Sequence, residues 1–214
     1  MADLGPGDLR KLQDKALWLS AWMIHNANHL RPKADGLKVG GHQASCASMV
    51  SLMTALYGRV LRPQDRVAVK PHAGPVFHAL QYLAGKQSLD KMQRFRGFGG
   101  VQSYLSRTKD TADVDFSTGS VGLGVAITAF ASLVQDYVRA RGWGRLPQGR
   151  MVALVGDAEL DEGNIYECCK RAGNTACAIA GGSSTTTAKA WTAWCARDFR
   201  HESPASSRPS AGMW

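Results

Sequence analysis

Leu9, Leu12, Leu19, Trp22, Met23 and Leu30 recur at roughly helical spacing, which predicts an amphipathic helix from Asp8 to Leu30 that Pro32 ends. Met49, Val50, Leu52, Met53 and Leu56 repeat the pattern over Ser45 to Tyr57, and Gly58 is expected to close that helix. Arg66 to Val69 reads as a short strand. The cluster Lys70-Pro71-His72-Ala73-Gly74-Pro75 interrupts it and leads into a helix over Val76 to Ala84. Ser88 is expected to cap a further helix through Met92 and Phe95. Gly97 to Phe116 is Gly-rich, charged and aperiodic, and a loop of that length in a compact domain is expected at a functional site. Ser117 to Gly124 opens a strongly apolar helix running to about Arg141, and Met151 to Val155 is a buried strand that stops at Gly156-Asp157-Ala158-Glu159. Helices alternating with short buried strands predict an α/β fold, a mostly parallel sheet flanked by helices. Ligands of such sheets bind at the carboxyl ends of the strands, where His72 and Asp157 fall.

A chain of 214 residues with 44% apolar content can bury one sizeable core. It has no apolar run of about 18 residues, and Met1 to Lys15 is polar, so a soluble, cytoplasmic protein without a membrane partner is expected. The net charge of +9 raises the question of nucleic acid. Up to Glu167 the basic residues are interleaved with Asp and Glu and form no block, so no nucleic-acid partner is expected. Cys46 stands alone, whereas Cys168, Cys169, Cys177 and Cys195 lie near the end, none in a CxxC pair; neither a zinc site nor a disulfide framework is indicated. His25 and His29 sit one helical turn apart without a third ligand nearby and read as polar-face residues.

The chemistry concentrates in two places. Gly119, Gly122 and Gly124 let backbone approach a ligand just before a long helix, the arrangement that binds a diphosphate. Asp157, at the end of a buried strand, is placed to ligate a divalent cation. His42, His72, the glycine turn and Asp157 follow one another at domain-scale spacing.

Gly40-Gly41-His42-Gln43-Ala44-Ser45, His72-Ala73-Gly74-Pro75, Ser120-Val121-Gly122-Leu123-Gly124 and Gly156-Asp157-Ala158-Glu159-Leu160-Asp161-Glu162 together resemble the N-terminal region of the transketolase-like thiamine diphosphate enzymes, most of all the homodimeric pyruvate dehydrogenase E1 component. The likeness spans residues 8–167 and implies an incomplete thiamine diphosphate-binding fold. It implies that His42 and His72 face the cofactor's diphosphate and reacting carbon. Ser120, Gly122, Leu123, Gly124, Gly156, Ala158 and Glu159 would line the diphosphate, with Asp157 on magnesium. The residue after that Asp is usually Gly in the family and here is Ala158. Implied too are thiamine diphosphate and magnesium as cofactors, a homodimer, and a small 2-oxo acid or ketose as substrate. The glutamate that activates the cofactor belongs to a second domain, so an inactive, truncated portion of the enzyme is expected.

Residues 168–214 contain no Leu and no Val and are rich in Ala, Ser, Thr and Gly, with neither helical nor strand periodicity. They read as an aberrant, disordered tail after a domain over residues 1–167. The resemblance implies a magnesium-binding Asn about thirty residues after Asp157, yet Thr187 stands there. A reading-frame shift near Glu167 accounts for both features, since codons shifted by one base across Cys168 to Ala193 permit LQEGWKHGLRNCWWIIDYNRQSLDG, an apolar strand followed by Asp-Tyr-Asn.

Overall fold

The computed structural model describes residues 4–33, 35–110, 112–144, 147–172, 177–182 and 191–195, and for Asp157, residues 169–172 and everything after them it describes backbone alone. Helix α1 covers Pro6–His25 and widens into a π-helical turn over Asn26–Leu30, where the Arg31 N–H donates to the Asn26 carbonyl. Helix α2 spans Gln43–Ala55 and runs on through a similar turn, Leu56–Val60. Gly58 therefore does not close the helix. It marks a close approach to α1: a Cβ there would lie 2.7 Å from Leu9 Cδ2, so a larger residue would have to push the Leu9 side chain aside.

Strand β1 is Arg66–Ala68, followed by a 3-10 turn at Pro71–Ala73, α3 at Gly74–Leu83 and the short α4 at Leu89–Gln93. Ser88 Oγ accepts from the Lys91 N–H, the expected N-cap. Helix α5 is Leu123–Ala140, β2 is Met151–Gly156, and α6 is Gly163–Ala172. Strands β3, Cys177–Gly182, and β4, Trp191–Cys195, complete a sheet of order β1-β2-β3-β4. β1, β2 and β3 are parallel and β4 is antiparallel to β3, so the expected mostly parallel α/β sheet is present. Within the segment read as a tail, the backbone thus continues α6 to Ala172 and supplies two strands; its other residues lie outside those described.

Helices cover both faces of the sheet, which explains why all six residues of β2 are buried and why it lacks the alternation of a half-exposed strand. Val152 and Leu154 join the large core formed with Val67, Val69, Met23, Met49, Met53, Phe77 and Leu80 of β1, α1, α2 and α3. Ala153 and Val155 point the other way, into a smaller cluster with Val125 of α5 and Ile165 of α6. At their entry the two strands are lashed together by Asp65. Its carboxylate accepts from the Arg150 side chain at 2.6 and 3.0 Å and from the backbone N–H groups of Arg62 and Arg150.

The segment from Gly97 to Phe116 is anchored to the core at several points. Val101, Leu105, Ala112 and Val114 are buried, and Asp110 accepts from the backbone N–H groups of Gln102 and Ser106 while lying against the buried His78. Asp115 accepts from the Val67 N–H and so covers the outer edge of β1. Low periodicity here reflects side-chain-to-backbone bonding that replaces regular structure.

Candidate functional site

The carboxyl ends of β1 and β2 open into a cavity of about 380 Å³ lined by His42, Gln43, Ala44, Ser45, Lys70, His72, Val121, Gly156, Ala158 and Glu159. His42 arrives at the N-cap of α2 through the Gly40-Gly41 turn, whose backbone has φ of +76° and +130°. Both glycines are required: beyond the positive φ, a Cβ on Gly41 would lie 2.9 Å from Ile24 Cγ2. The Asn28 side chain fixes the turn by bonding both the N–H and the carbonyl of Gly40 at 3.0 Å.

His72 sits in the 3-10 turn that follows β1, its ring 4.1 Å from that of His42 and inclined to it by 63°. The Cys46 thiol donates to the His72 carbonyl at 3.2 Å, and burial pushes that thiol's pKa up to about 12, so it acts as a neutral donor. Burial, then the neighbouring charges of His42 and Lys70, holds the His72 pKa below the usual imidazole range. The ring is therefore neutral near pH 7, able to donate from one nitrogen and accept at the other. Tyr104, from the 97–116 segment, packs edge-on against it at 5.8 Å. That contact depends on Gly74, where a Cβ would meet the Ser103 carbonyl oxygen at 2.2 Å.

Val121 lines the opposite wall, and the next residue, Gly122, adopts φ of +78° immediately before α5. Gly156 leaves room for Lys70, since a Cβ there would lie 2.7 Å from Lys70 Cε. Glu159 is 4% exposed and its Oε1 has no hydrogen-bond partner. Burial pushes its pKa up to about 7, although Lys70 and the backbone N–H groups of Gly122 and Gly156 favour the charged form.

Of the residues singled out in the sequence, His42, His72, Gly156, Ala158 and Glu159 meet on this cavity. Gly122 adjoins it through the turn that carries Val121, and its α-carbon faces Asn164 and Glu162 of the segment after β2. The Ser120 carbonyl accepts from the Leu123 N–H inside the turn, and Gly124 faces Ala68, letting α5 pack on β1; Ser120, Gly122, Leu123 and Gly124 shape the turn and are not among the lining residues. Asp157 directly follows Gly156, with its side chain outside those described. Among the described residues no three His, Cys, Asp or Glu side chains group as a metal site, and His25 and His29 stack exposed on α1, away from this cavity. Lys70, Tyr104 and Asn28 escaped the sequence reading. Lys70 gave a signal, a lysine directly after a buried strand, whereas Tyr104 and Asn28 act through tertiary contacts alone.

This chain is similar to known proteins over most of its length. The pyruvate dehydrogenase E1 component of Mycolicibacterium smegmatis is 29% identical over 171 residues, covering 73% of this chain and 18% of that protein. The 1-deoxy-D-xylulose-5-phosphate synthase of Aromatoleum aromaticum is 28% identical over 174 residues, 79% of this chain and 25% of that protein. The chain thus spans only 18 to 25% of the length of these curated relatives. A solved transketolase from Leishmania mexicana superposes with a TM-score of 0.68 at 20% identity, covering 82% of this chain and 27% of that one, a likeness of fold. The class is therefore that of the transketolase-like thiamine diphosphate enzymes, of which this chain is an N-terminal region. Within it, the family model described as 1-deoxy-D-xylulose-5-phosphate synthase matches residues 5–180, and the chain belongs to that family.

Proposed function

We propose that this chain forms the diphosphate-holding side of a thiamine diphosphate site acting on a 2-oxo acid of the pyruvate type. The observation that carries the reading is the meeting of His42, His72, Lys70 and the Gly156 strand end on one cavity beside the left-handed Gly122 turn. This donor set fits a diphosphate: helix N-terminal amides, a buried ammonium and imidazole N–H groups, with Glu159 the acidic side chain among the described lining residues.

In this reading His42 and His72 would face the diphosphate and the reacting carbon, their ring N–H groups available to oxygen acceptors there, and Lys70, beside Gly156, would neutralise phosphate oxygens. Gly122 and Ala158 bring backbone N–H groups close, and Asp157 holds magnesium. The thiamine group, when bound, supplies a carbanion and then an electron sink for the 2-oxo acid. Neutral His72 can carry a proton at its free nitrogen without imposing a positive charge on the site. The choice of 2-oxo acid over ketose is supported by pyruvate dehydrogenase relatives of higher identity than the transketolase structure. Activation of the cofactor is assigned to a glutamate of a second domain across a homodimer, and the setting to the cytoplasm.

Isothermal calorimetry with thiamine diphosphate, with and without Mg2+, tests the proposal. Saturable, metal-dependent binding that weakens at least about tenfold in His72→Ala is expected. A folded chain that takes up no cofactor overturns it.

A further inference from the structure

Arg96 is the non-glycine residue with a positive φ, +56°, among the described residues. An L side chain is disfavoured in that left-handed region, and such strain persists only where surrounding contacts hold it. Here the Arg96 N–H donates to the Val101 carbonyl at 3.0 Å, closing the loop over Gly97 to Gly100, and the guanidinium Nη1 donates to the Val39 carbonyl. Val39 directly precedes the Gly40-Gly41-His42 turn, and a Cβ on Gly40 would lie 3.1 Å from Arg96 Nη1. Asn28 holds the peptide groups of Gly40 from α1, but two successive glycines with positive φ leave the rest of the turn wide backbone freedom. Arg96 holds the turn from the other side, through the segment that follows α4. Further along that segment Tyr104 packs edge-on against His72, and Arg96 and Tyr104 line one small cavity of about 240 Å³ with Gly97, Gln102 and Ser103.

We propose that Arg96 is a positioning residue for the His42–His72 pair: by binding the Val39 carbonyl, its guanidinium fixes where the Gly40-Gly41 turn delivers the His42 ring. One segment then sets both partners, His42 through Val39 and His72 through Tyr104, and the 4.1 Å ring separation follows from it. The segment is a firm support, since Asp110 accepts from the Gln102 and Ser106 N–H groups and the buried His78 ring bonds the Gln102 carbonyl at 2.8 Å. A charged donor binds a carbonyl more strongly than a neutral one, and the planar guanidinium loses less freedom per bond than a lysine ammonium would. The effect on cofactor binding rests on the diphosphate reading above, in which both rings face the cofactor; the effect on ring geometry does not.

Arg96→Gly separates backbone from side chain, because it relieves the left-handed strain while removing the guanidinium. The full chain as wild type, Arg96→Gly, Arg96→Ala and Arg96→Lys is followed by circular dichroism for folding, by the histidine ring resonances in NMR, and by calorimetry with thiamine diphosphate and Mg2+. Arg96→Gly is expected to melt no lower than Arg96→Ala, yet to lose the nuclear Overhauser contact between the His42 and His72 rings while the His78 resonances stay in place. Thiamine diphosphate affinity is expected to fall about tenfold in Arg96→Gly and Arg96→Ala, with Arg96→Lys between them and wild type. A folded Arg96→Gly that keeps the His42–His72 contact, or keeps wild-type affinity for the cofactor, overturns the inference. So does a shift of the His78 resonances, which would make Arg96 a general brace of its segment. Loss of the ring contact alone, in a chain that binds no cofactor even as wild type, upholds the positioning and removes the diphosphate reading.

Discussion

Gly119 and Gly122 lie three residues apart in the turn before α5, yet the fold treats them differently. Gly122 has φ of +78°, and a Cβ there would sit 2.7 Å from Asn164 Oδ1 and 3.1 Å from Glu162 Cβ. Gly119 has no positive φ and nothing within 4 Å of a built Cβ. For Gly122→Ala the left-handed backbone costs about 1–2 kcal/mol. The Asn164 side chain is exposed and can rotate away cheaply, whereas Glu162 Cβ is tied to its backbone and must yield by a few tenths of an ångström, adding about 1 kcal/mol. Reduced entropy of the unfolded chain returns about 0.4–1 kcal/mol in both variants. The net expectation is a loss of about 1–2.5 kcal/mol for Gly122→Ala, or roughly 2–10 °C in Tm, against no loss or a slight gain for Gly119→Ala. Urea and thermal melts of the two variants beside wild type read this directly, and thiamine diphosphate affinity should fall only in Gly122→Ala. Equal stability of the two variants would refute the argument that the left-handed turn, rather than glycine content, orients α5.

Asp65, its side chain 1% exposed, should show itself in the pH dependence of stability. Burial alone would raise its pKa, but hydrogen bonds from the Arg150 side chain and from the Arg62 and Arg150 backbone bring it below the usual carboxylate value. The folded pKa being the lower one, its stabilisation is complete above the unfolded pKa, about 4, and is lost as pH falls through the folded value. Asp65→Asn should cost about 3 kcal/mol at pH 7 and flatten the decline in urea midpoint below about pH 4; an unchanged acid limb in the variant would contradict it. The reading-frame proposal is checked by sequencing the encoding DNA. An open shifted frame across codons 168 to 193 is expected, and stop codons in that frame would end the idea.

Much of the architecture follows from local patterning. The period of α1, α2 and α5, the apolar run of β2 and the punctuation at residues 70–75 are properties of neighbouring residues, and periodicity reports such properties directly. Gly58 shows the limit. Nothing in its neighbourhood distinguishes a helix stop from a helix-crossing point, and only the position of Leu9 decides between them. Likewise Gly97 to Phe116 has the composition of a site loop, but Asp110 ties Gln102 and Ser106 within it and Asp115 bonds the distant Val67 N–H, so it is anchored to the core while Tyr104 packs against His72. Strand β3 is a third case: Cys-Ala-Ile-Ala-Gly-Gly lacks the large aliphatic run of a central parallel strand, and its pairing with β2 is seen only once the sheet is assembled.

By itself, then, the sequence determined the helices α1, α2, α3 and α5, the strands β1 and β2, and that His42, His72, the Gly122 turn and the Gly156 strand end come in one order, because spacing and backbone freedom are encoded locally. Tertiary structure decided that these meet on one cavity with Lys70 beneath Gly156, and that a carboxylate of the chain's own, Glu159, stands among the donors. Burial and charge neighbours exist only after folding, and they set which of these groups is neutral, which is charged and which is left without a partner.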